Sequence, residues 1–307
     1  MERKNNFIHF LYTPWTGLGI NRDRFDDGWL AYRIDVFKRY TLKSLLNQTN
    51  RNFIHWHSFR EIDRNRPLVR GLYDYLKKIP NYEFVFTFGG IAFWDDKYED
   101  DNLLERMKNT LPDLEKVCNG EEFVLETIQP SDDMYSREAV KEFQENRACA
   151  YDRGYMLNDR TQRLAEYNPE TSPPFYTIMF PRDVFLDPEK HVKYMRDFKS
   201  HEDIPRIFNT KKLKGRKFCV VVHGKNISTN WWHPFRGKTL GWKEGAEILE
   251  DFGIKVAPPS EFVGGLREFR LAIRRAFLQA LIKIGVYKYA WIIRQFFRKK
   301  IRDSHEN

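Results

Sequence analysis

An apolar run ends on two adjacent acids in the stretch EEFVLETIQPSDD, residues 121–133. Its first eight residues are rich in the residue types that favour a buried strand, and a Pro-Ser turn signal follows them. The stretch therefore predicts a strand that delivers Asp132 and Asp133 at its carboxyl end.

Working outward, three further strands precede this one, and a helical pattern follows each of them. The strands are predicted over residues 6–15, 50–59 and 82–90, and the helices over 29–46, 67–79 and 102–111. Strands that alternate with helices of this length indicate crossover units. The sequence predicts an α/β fold with a mostly parallel sheet flanked by helices.

The later part of the chain gives fewer signals. Strands are predicted over residues 173–180 and 216–224, with a helix that begins after Asp187. The loop APPSEFVGG marks the best boundary, so we predict one domain over 1–260 and an appendage over 261–307.

This appendage is a basic amphipathic segment, because eleven Lys or Arg residues and one acid lie between residues 266 and 302. The formal charge of the chain is +9, so the rest of it is close to neutral. Aromatic and aliphatic residues alternate with the cations at helical spacing, which suits contact with an anionic membrane surface. A helix packed on the domain or bound to a partner remains an alternative. The uneven charge does not favour a specific nucleic-acid surface.

Three widely spaced cysteines show neither a zinc motif nor a disulfide framework, which favours a reducing compartment. No signal peptide is recognised, and no stretch is apolar enough for a membrane span. We expect a cytoplasmic protein, peripheral on the cytoplasmic face of the membrane.

Asp132 and Asp133 permit two interpretations. Carboxylates at the end of a strand suit a divalent ion, Mn or Mg, which prefers oxygen ligands shared with phosphate. Alternatively, Ser131 or Asp132 caps a helix that runs through SREAVKEF.

Two later segments offer further candidates. SHEDIPRIF, residues 200–208, places Glu202 and Asp203 before a proline, where a carboxylate is free to act as a base or simply lies in a solvated loop. VVVHGKNISTNWWHPFRG, residues 220–237, places His223 after an apolar strand, as a metal ligand or as a partner of a backbone carbonyl. Trp231 and Trp232 form a stacking platform for a sugar or pack in the interior.

The phrase RIDVFKRYTLKSLLNQTNRNFIHW, residues 33–56, resembles the opening of nucleotide-sugar glycosyltransferases of the GT-A fold, which is Rossmann-like. Together with the acid pair and the later HED, the chain is most similar to bacterial rhamnosyltransferase-like proteins over residues 7–235. The resemblance implies a metal ion at residues 130–133, although Pro130 replaces the first acid of the family motif.

The resemblance also implies roles for individual residues. Asp203, with Glu202, corresponds to the pair that supplies the catalytic base of inverting enzymes. The loop TPWTGLG, with Thr13 and Gly17, corresponds to the part that approaches the nucleotide. The remaining assignments are Asp63 and Asp132 for the nucleotide-sugar, Asp132, Asp133 and His223 for the metal, and Trp231 and Trp232 for the acceptor.

The resemblance therefore implies a glycosyltransferase of the hexosyltransferase type. It would move a sugar, such as the deoxyhexose rhamnose, from a nucleotide-sugar donor to a glycan or lipid-linked acceptor in surface polysaccharide synthesis. The alternative is a non-catalytic protein that binds carbohydrate or nucleic acid on a transferase-like fold. A nucleotidyltransferase is a third interpretation, but no Gly-rich phosphate loop lies near the start of the chain.

Overall fold

The structure is a computed structural model. It describes residues 6–16, 26–90, 100–169, 175–195, 204–226, 229–255 and 266–283. The predicted boundary at 260/261 lies outside these ranges and stays a prediction.

Twelve strands and ten helices are found in the described ranges. The strands are β1 (Phe7–Pro14), β2 (Ile54–Ser58), β3 (Phe84–Thr87), β4 (Phe123–Ile128), β5 (Met134–Tyr135), β6 (Cys149–Tyr151), β7 (Gly154–Asn158), β8 (Leu164–Tyr167), β9 (Tyr176–Pro181), β10 (Lys211–Leu213), β11 (Phe218–Val222) and β12 (Arg236–Thr239). The helices are α1 (Asp27–Arg39), α2 (Thr41–Leu46), α3 (Pro67–Leu76), α4 (Asp100–Glu115), α5 (Ala139–Asn146), α6 (Arg182–Phe185), α7 (Pro188–Met195), α8 (Ile204–Phe208), α9 (Trp242–Asp251) and α10 (Leu266–Lys283).

The larger sheet has seven described strands in the order β10-β6-β9-β4-β1-β2-β3. The four strands from β4 to β3 are mutually parallel, and β9 is antiparallel to its two neighbours. One apolar cluster packs α4, α6, α7 and α8 on one face, and a second packs α1, α2 and α3 on the other. The predicted α/β class, with a mostly parallel sheet flanked by helices, is confirmed.

A second sheet, of five described strands in the order β12-β8-β7-β11-β5, was not predicted. Within it, β7 and β11 are parallel, so their carboxyl ends lie side by side. Two apolar clusters hold this sheet against α5 and α9.

Local signals explain where several helices begin and end. Asp26 caps α1 by accepting a hydrogen bond of 2.6 Å from the backbone N–H of Trp29. Pro67 starts α3, where its missing N–H has no cost. The single helix predicted over residues 29–46 is wrong in detail, because Tyr40 leaves the helical conformation and divides it into α1 and α2.

The predicted appendage is helical over Leu266–Lys283, and the rest of it lies outside the described residues. No helix in the described part of the chain is both long and apolar enough to cross a bilayer.

Candidate active site at the paired acids

Asp132 and Asp133 lie in a turn between β4 and β5, at the carboxyl edge of the larger sheet. The backbone N–H of Gln129 continues the pairing with β1 by donating to Tyr12 O at 2.8 Å. The chain then enters β5, which pairs antiparallel with β11. The capping interpretation is wrong, because α5 begins only at Ala139 with Glu138 at its N-cap.

Asp132 is held by a guanidinium from α1. Arg33 Nη1 donates to Asp132 Oδ2 at 2.5 Å, and Nη2 donates to Oδ1 at 3.0 Å. Both side chains are at least nine-tenths buried. Burial opposes ionisation, but the Arg33 charge and a hydrogen bond from His223 hold the pKa of Asp132 below its ordinary value.

His223 approaches the same carboxylate from the end of β11. Its Nε2 lies 3.0 Å from Asp132 Oδ2, and Asn226 Nδ2 donates to that oxygen at 3.2 Å. Asn226 also accepts from the backbone N–H of His223 and donates to Val221 O at 2.9 Å. The turn after β11 is therefore fixed in a shape that aims the imidazole at the acid.

Asp133 has a different environment from its neighbour. Its Oδ1 accepts a hydrogen bond of 3.0 Å from the backbone N–H of Val221. Burial, followed by the charge of Asp132, raises the pKa of Asp133 well above its ordinary value. Two adjacent carboxyls thus differ in their tendency to ionise, since the pKa of Asp132 is lowered and the pKa of Asp133 is raised.

A third acid, Asp159, was not identified from the sequence. It follows β7, so it lies beside the exit of β11, and it accepts hydrogen bonds of 2.5 Å from both Arg39 Nη1 and Tyr40 OH. Burial works against its ionisation, but these two hydrogen bonds lower the pKa of Asp159 overall. Tyr40, at the break between α1 and α2, therefore places its hydroxyl against the Asp159 carboxylate.

The outer side of the cluster is cationic and aromatic. Lys225 is exposed, its Nζ lies 5.0 Å from the centre of the Tyr32 ring, and it donates to Gly28 O at 3.2 Å. The Tyr32 ring lies 5.3 Å from the His223 ring, with an edge-on orientation. We call Arg33, Asp132, Asp133, His223, Lys225 and Asn226 the acid-pair site.

The predicted divalent ion does not fit the side chains as they are arranged. Both oxygens of Asp132 already accept hydrogen bonds from Arg33, and the raised pKa of Asp133 disfavours its ionised form. A metal ion needs deprotonated ligands with free lone pairs. In the described ranges, no three His, Cys, Asp or Glu side chains are grouped as metal ligands. Metal binding therefore stays a prediction that this arrangement does not support.

Two predicted nucleotide-binding residues are enclosed by protein. Thr13 is fully buried, where its hydroxyl donates to Gln129 O at 2.6 Å and lies 2.7 Å from His55 Nε2. Asp63 is 1% exposed and accepts hydrogen bonds from Arg60 Nε at 3.0 Å and from Arg66 Nη1 at 2.8 Å. Both positions therefore shape the carboxyl edge of the sheet, and direct contact with a ligand stays a prediction.

The predicted acceptor residues lie away from the acids, at the entry to β12. Trp231 and Trp232 are half-buried, and the Arg236 guanidinium lies 4.5 and 5.1 Å from the centres of their rings. The remaining predicted residues, Gly17, Glu202 and Asp203, lie outside the described residues.

No model of a known protein family matches this chain, and no curated protein sequence matches it. Two solved structures share part of the fold. Mouse xyloside xylosyltransferase 1, in its apo form, is 9% identical with a TM-score of 0.37, over 73% of this chain and 99% of that chain. A candidate nucleotide-diphospho-sugar transferase from Desulfovibrio desulfuricans G20 is 14% identical with a TM-score of 0.27. The match covers 62% of this chain and 74% of that chain. Likenesses this distant do not assign a function.

The acid-pair site has one chemical capability that follows from its geometry. It is a set of fixed, mostly buried charges beside an exposed amine, at the edge of an α/β sheet where ligands bind. Because the charges are held by neighbouring side chains, they need little reorganisation when a ligand charge develops nearby. An anionic ligand would meet the exposed Lys225, whereas the charge of Arg33 is paired with Asp132.

Proposed function

We propose that this chain is a glycosyltransferase that moves a sugar from a nucleotide-sugar donor to a glycan or lipid-linked acceptor. The observation that supports the proposal is the convergence of Asp132, Arg33 and His223 at the carboxyl ends of β4 and β11. These residues come from two sheets and a helix, and they lie at the carboxyl ends of strands, where open α/β folds bind nucleotides. Rhamnose as the sugar and surface polysaccharide as the product belong to this proposal through the sequence resemblance.

In this proposal the donor diphosphate lies against Lys225, with Arg33 behind it. Negative charge grows on the diphosphate as the sugar–phosphate bond breaks, and a nearby fixed cation stabilises it. Asp132 keeps Arg33 in place through two hydrogen bonds, of 2.5 and 3.0 Å. We assign charge stabilisation to these side chains and derive no step through a metal ion.

The acceptor hydroxyl needs a base, and we propose Asp203 with Glu202 beside it, on the sequence resemblance alone. The acceptor oxygen attacks the anomeric carbon, the bond from that carbon to the phosphate oxygen breaks, and the nucleoside diphosphate leaves. The hydroxyl proton passes to the carboxylate. Attack from the side opposite the phosphate would invert the configuration at the anomeric carbon.

We also propose that the chain works at the cytoplasmic face of a membrane, with residues 266–302 on anionic headgroups. One observation favours this location. Ile273 and Phe277 are one turn apart on α10 and are 55% and 62% exposed. An exposed apolar stripe beside basic residues suits the boundary between headgroups and acyl chains. Asp substitutions at both positions should abolish sedimentation with anionic vesicles, and unchanged sedimentation would contradict the location.

The function is tested by incubating the full chain with a panel of nucleotide-sugars and measuring the release of nucleoside diphosphate and the melting temperature. Each donor is measured with Mn²⁺ and with EDTA. We expect one nucleotide class to stabilise the protein in EDTA as well as in Mn²⁺, since the fixed cations are side chains. Loss of stabilisation in EDTA would instead restore the metal prediction.

A matched pair of variants locates the binding. Lys225→Met should weaken the stabilisation by the donor, whereas Lys283→Met, which removes an exposed cation on α10, should not. If no nucleotide stabilises the protein, the transferase proposal fails. Stabilisation without any release or transfer would leave the non-catalytic binding protein as the better description.

A further inference from the structure

Arg236, the first residue of β12, is a buried cation that has no acidic partner in the described part of the chain. The residue is 6% exposed, and its Nε has no hydrogen-bond partner there. Burial, followed by the charge of Arg275, lowers the pKa of Arg236 to about 10. Arginine is almost never buried in proteins unless it is paired, because an isolated buried charge is unfavourable.

Arg275 brings a second cation to the same place from α10. Its Nη2 donates to Arg236 O at 2.6 Å, and its own Nε is buried without a partner among the described residues. Gln279, one turn further along α10, donates to Pro234 O at 3.2 Å and to Arg236 O at 3.3 Å. The helix is therefore docked in a register that places two arginines side by side.

Two aromatic rings lie beside the guanidinium of Arg236. Its guanidinium lies over both Trp231 and Trp232, and these rings are half-buried. No hydrogen bond from the two terminal nitrogens to a described residue is found, and Nε is buried without a partner. Trp231, Trp232 and Arg275 are each half-buried, so a ligand can approach the two guanidinium groups from their exposed side.

The chemistry of this site selects its ligand. A guanidinium presents a planar fork that matches phosphate in a two-point contact. Two neighbouring guanidinium groups with no acidic partner among the described residues favour a ligand with more than one negative charge. Indole rings beside them suit an apolar or sugar group. A phosphate or pyrophosphate joined to such a group meets all these requirements.

We propose that Arg236 and Arg275 bind a phosphate group of the acceptor, while Trp231 and Trp232 contact the group that carries it. The proposal rests on the transferase function above and makes it more specific, because the acceptor is then a phosphorylated molecule. Its source is either a lipid phosphate or a soluble phosphorylated glycan.

The first measurement is the binding of inorganic pyrophosphate to the full chain, by calorimetry at fixed ionic strength. We expect Arg236→Met and Arg275→Met each to weaken binding by tenfold or more. Lys283→Met removes the same charge from an exposed position on α10, so it should leave binding unchanged. Equal binding by all three variants and the parent protein, or an equal loss in Lys283→Met, would overturn the proposal.

Stability separates a ligand-binding arginine from a structural one. Without ligand, Arg236→Met should melt at the same temperature or higher, because it replaces an unpaired buried charge with an apolar side chain. A large drop in melting temperature would show that Arg236 is a packing residue. Should that variant fail to fold, Arg275→Met still removes one of the two cations, and unweakened pyrophosphate binding by it would overturn the proposal.

Two further arms distinguish the source of the phosphate. Soluble sugar 1-phosphate is compared with phosphatidylcholine vesicles that contain an isoprenyl phosphate, on the parent protein and on Arg275→Met. If Arg275→Met loses binding only to the vesicles, the source is a lipid phosphate. If it loses binding only to the sugar 1-phosphate, the source is a phosphorylated glycan. Unchanged binding to both contradicts the site. Binding needs no donor, so it succeeds or fails independently of transfer activity.

Discussion

Arg33 and Asp132 form a two-point ion pair across ninety-nine residues of sequence, with both side chains at least nine-tenths buried. Arg33→Met should destabilise the protein by about 3–5 kcal/mol, because it leaves a buried carboxylate without its cation. Urea unfolding at neutral pH measures this loss.

The matched control for that variant is Arg64→Met. Arg64 pairs with Glu61 at 2.7 Å, but both side chains are largely exposed. An exposed pair contributes about 0–1 kcal/mol. Equal losses for the two variants would contradict the description of Asp132 as dependent on Arg33.

Glu126 predicts a dependence of stability on pH. It lies on β4 between two apolar positions of the same face, and burial raises the pKa of Glu126 from 4.5 to about 8. The folded state therefore holds this proton more tightly than the unfolded state does. The resulting stability is complete below pH 4.5 and is lost as the pH rises towards 8 and beyond.

Glu126→Gln keeps the shape of the side chain and removes the titration. Relative to the parent protein, this variant should gain up to about 1.4 kcal/mol of unfolding free energy for each pH unit between 5 and 8. Urea unfolding at several pH values measures the difference. Glu145→Gln, at an exposed position, should show the same pH dependence of unfolding free energy as the parent protein. The same pH dependence in Glu126→Gln as in the parent protein would contradict the prediction.

Two glycines predict opposite effects of the same substitution. A Cβ at Gly154 would lie 2.5 Å from the ring and the carbonyl oxygen of Phe218, whereas one at Gly71 would meet nothing within 4 Å. Gly154→Ala should cost about 1–3 kcal/mol through overpacking. Gly71→Ala should gain about 0.5–1 kcal/mol, because Gly71 is inside α3. Calorimetric melting compares the two variants, and an unchanged or higher melting temperature for Gly154→Ala would contradict the close approach.

The proposed base gives a kinetic prediction. Asp203→Asn should lower kcat for transfer by about 10²–10⁴, as expected for loss of a general base, while donor binding stays unchanged. Asp183→Asn, at an exposed side chain on α6, is the control and should keep full activity. Near-normal turnover by Asp203→Asn would remove Asp203 from the mechanism.

The first 130 residues could be predicted well because their signals are local. The apolar runs that became β1, β2 and β4 are each visible within a few residues, and Pro67 marks the start of α3. The second sheet was missed because its strands are short and several of them pair with distant partners. β5 has two residues, and it pairs with β11 across more than eighty positions. A two-residue segment contains no sequence pattern that predicts such a pairing.

The candidate site was predicted in part for the same reason. Asp132 and His223 each follow an apolar strand, which is a visible pattern, and the structure brings them to 3.0 Å. Arg33 was missed, although its position in the sequence pattern indicated a special role. It lies on the buried stripe of α1 with Leu30 and Ile34, and a charge on the apolar face of a helix needs a buried partner. The identity of that partner depends on tertiary contacts that no local pattern contains.

The distance in sequence between the parts of the acid-pair site has a consequence during synthesis. His223 follows Asp132 by ninety-one residues, and the Val221 N–H that binds Asp133 is made only two residues before His223. Ribosomes deliver the amino-terminal segments first. A nascent chain halted before β11 therefore displays two carboxyls and a guanidinium that the finished fold encloses. Such a chain should be held by chaperones and cut by proteases more readily than one extended past Asn226.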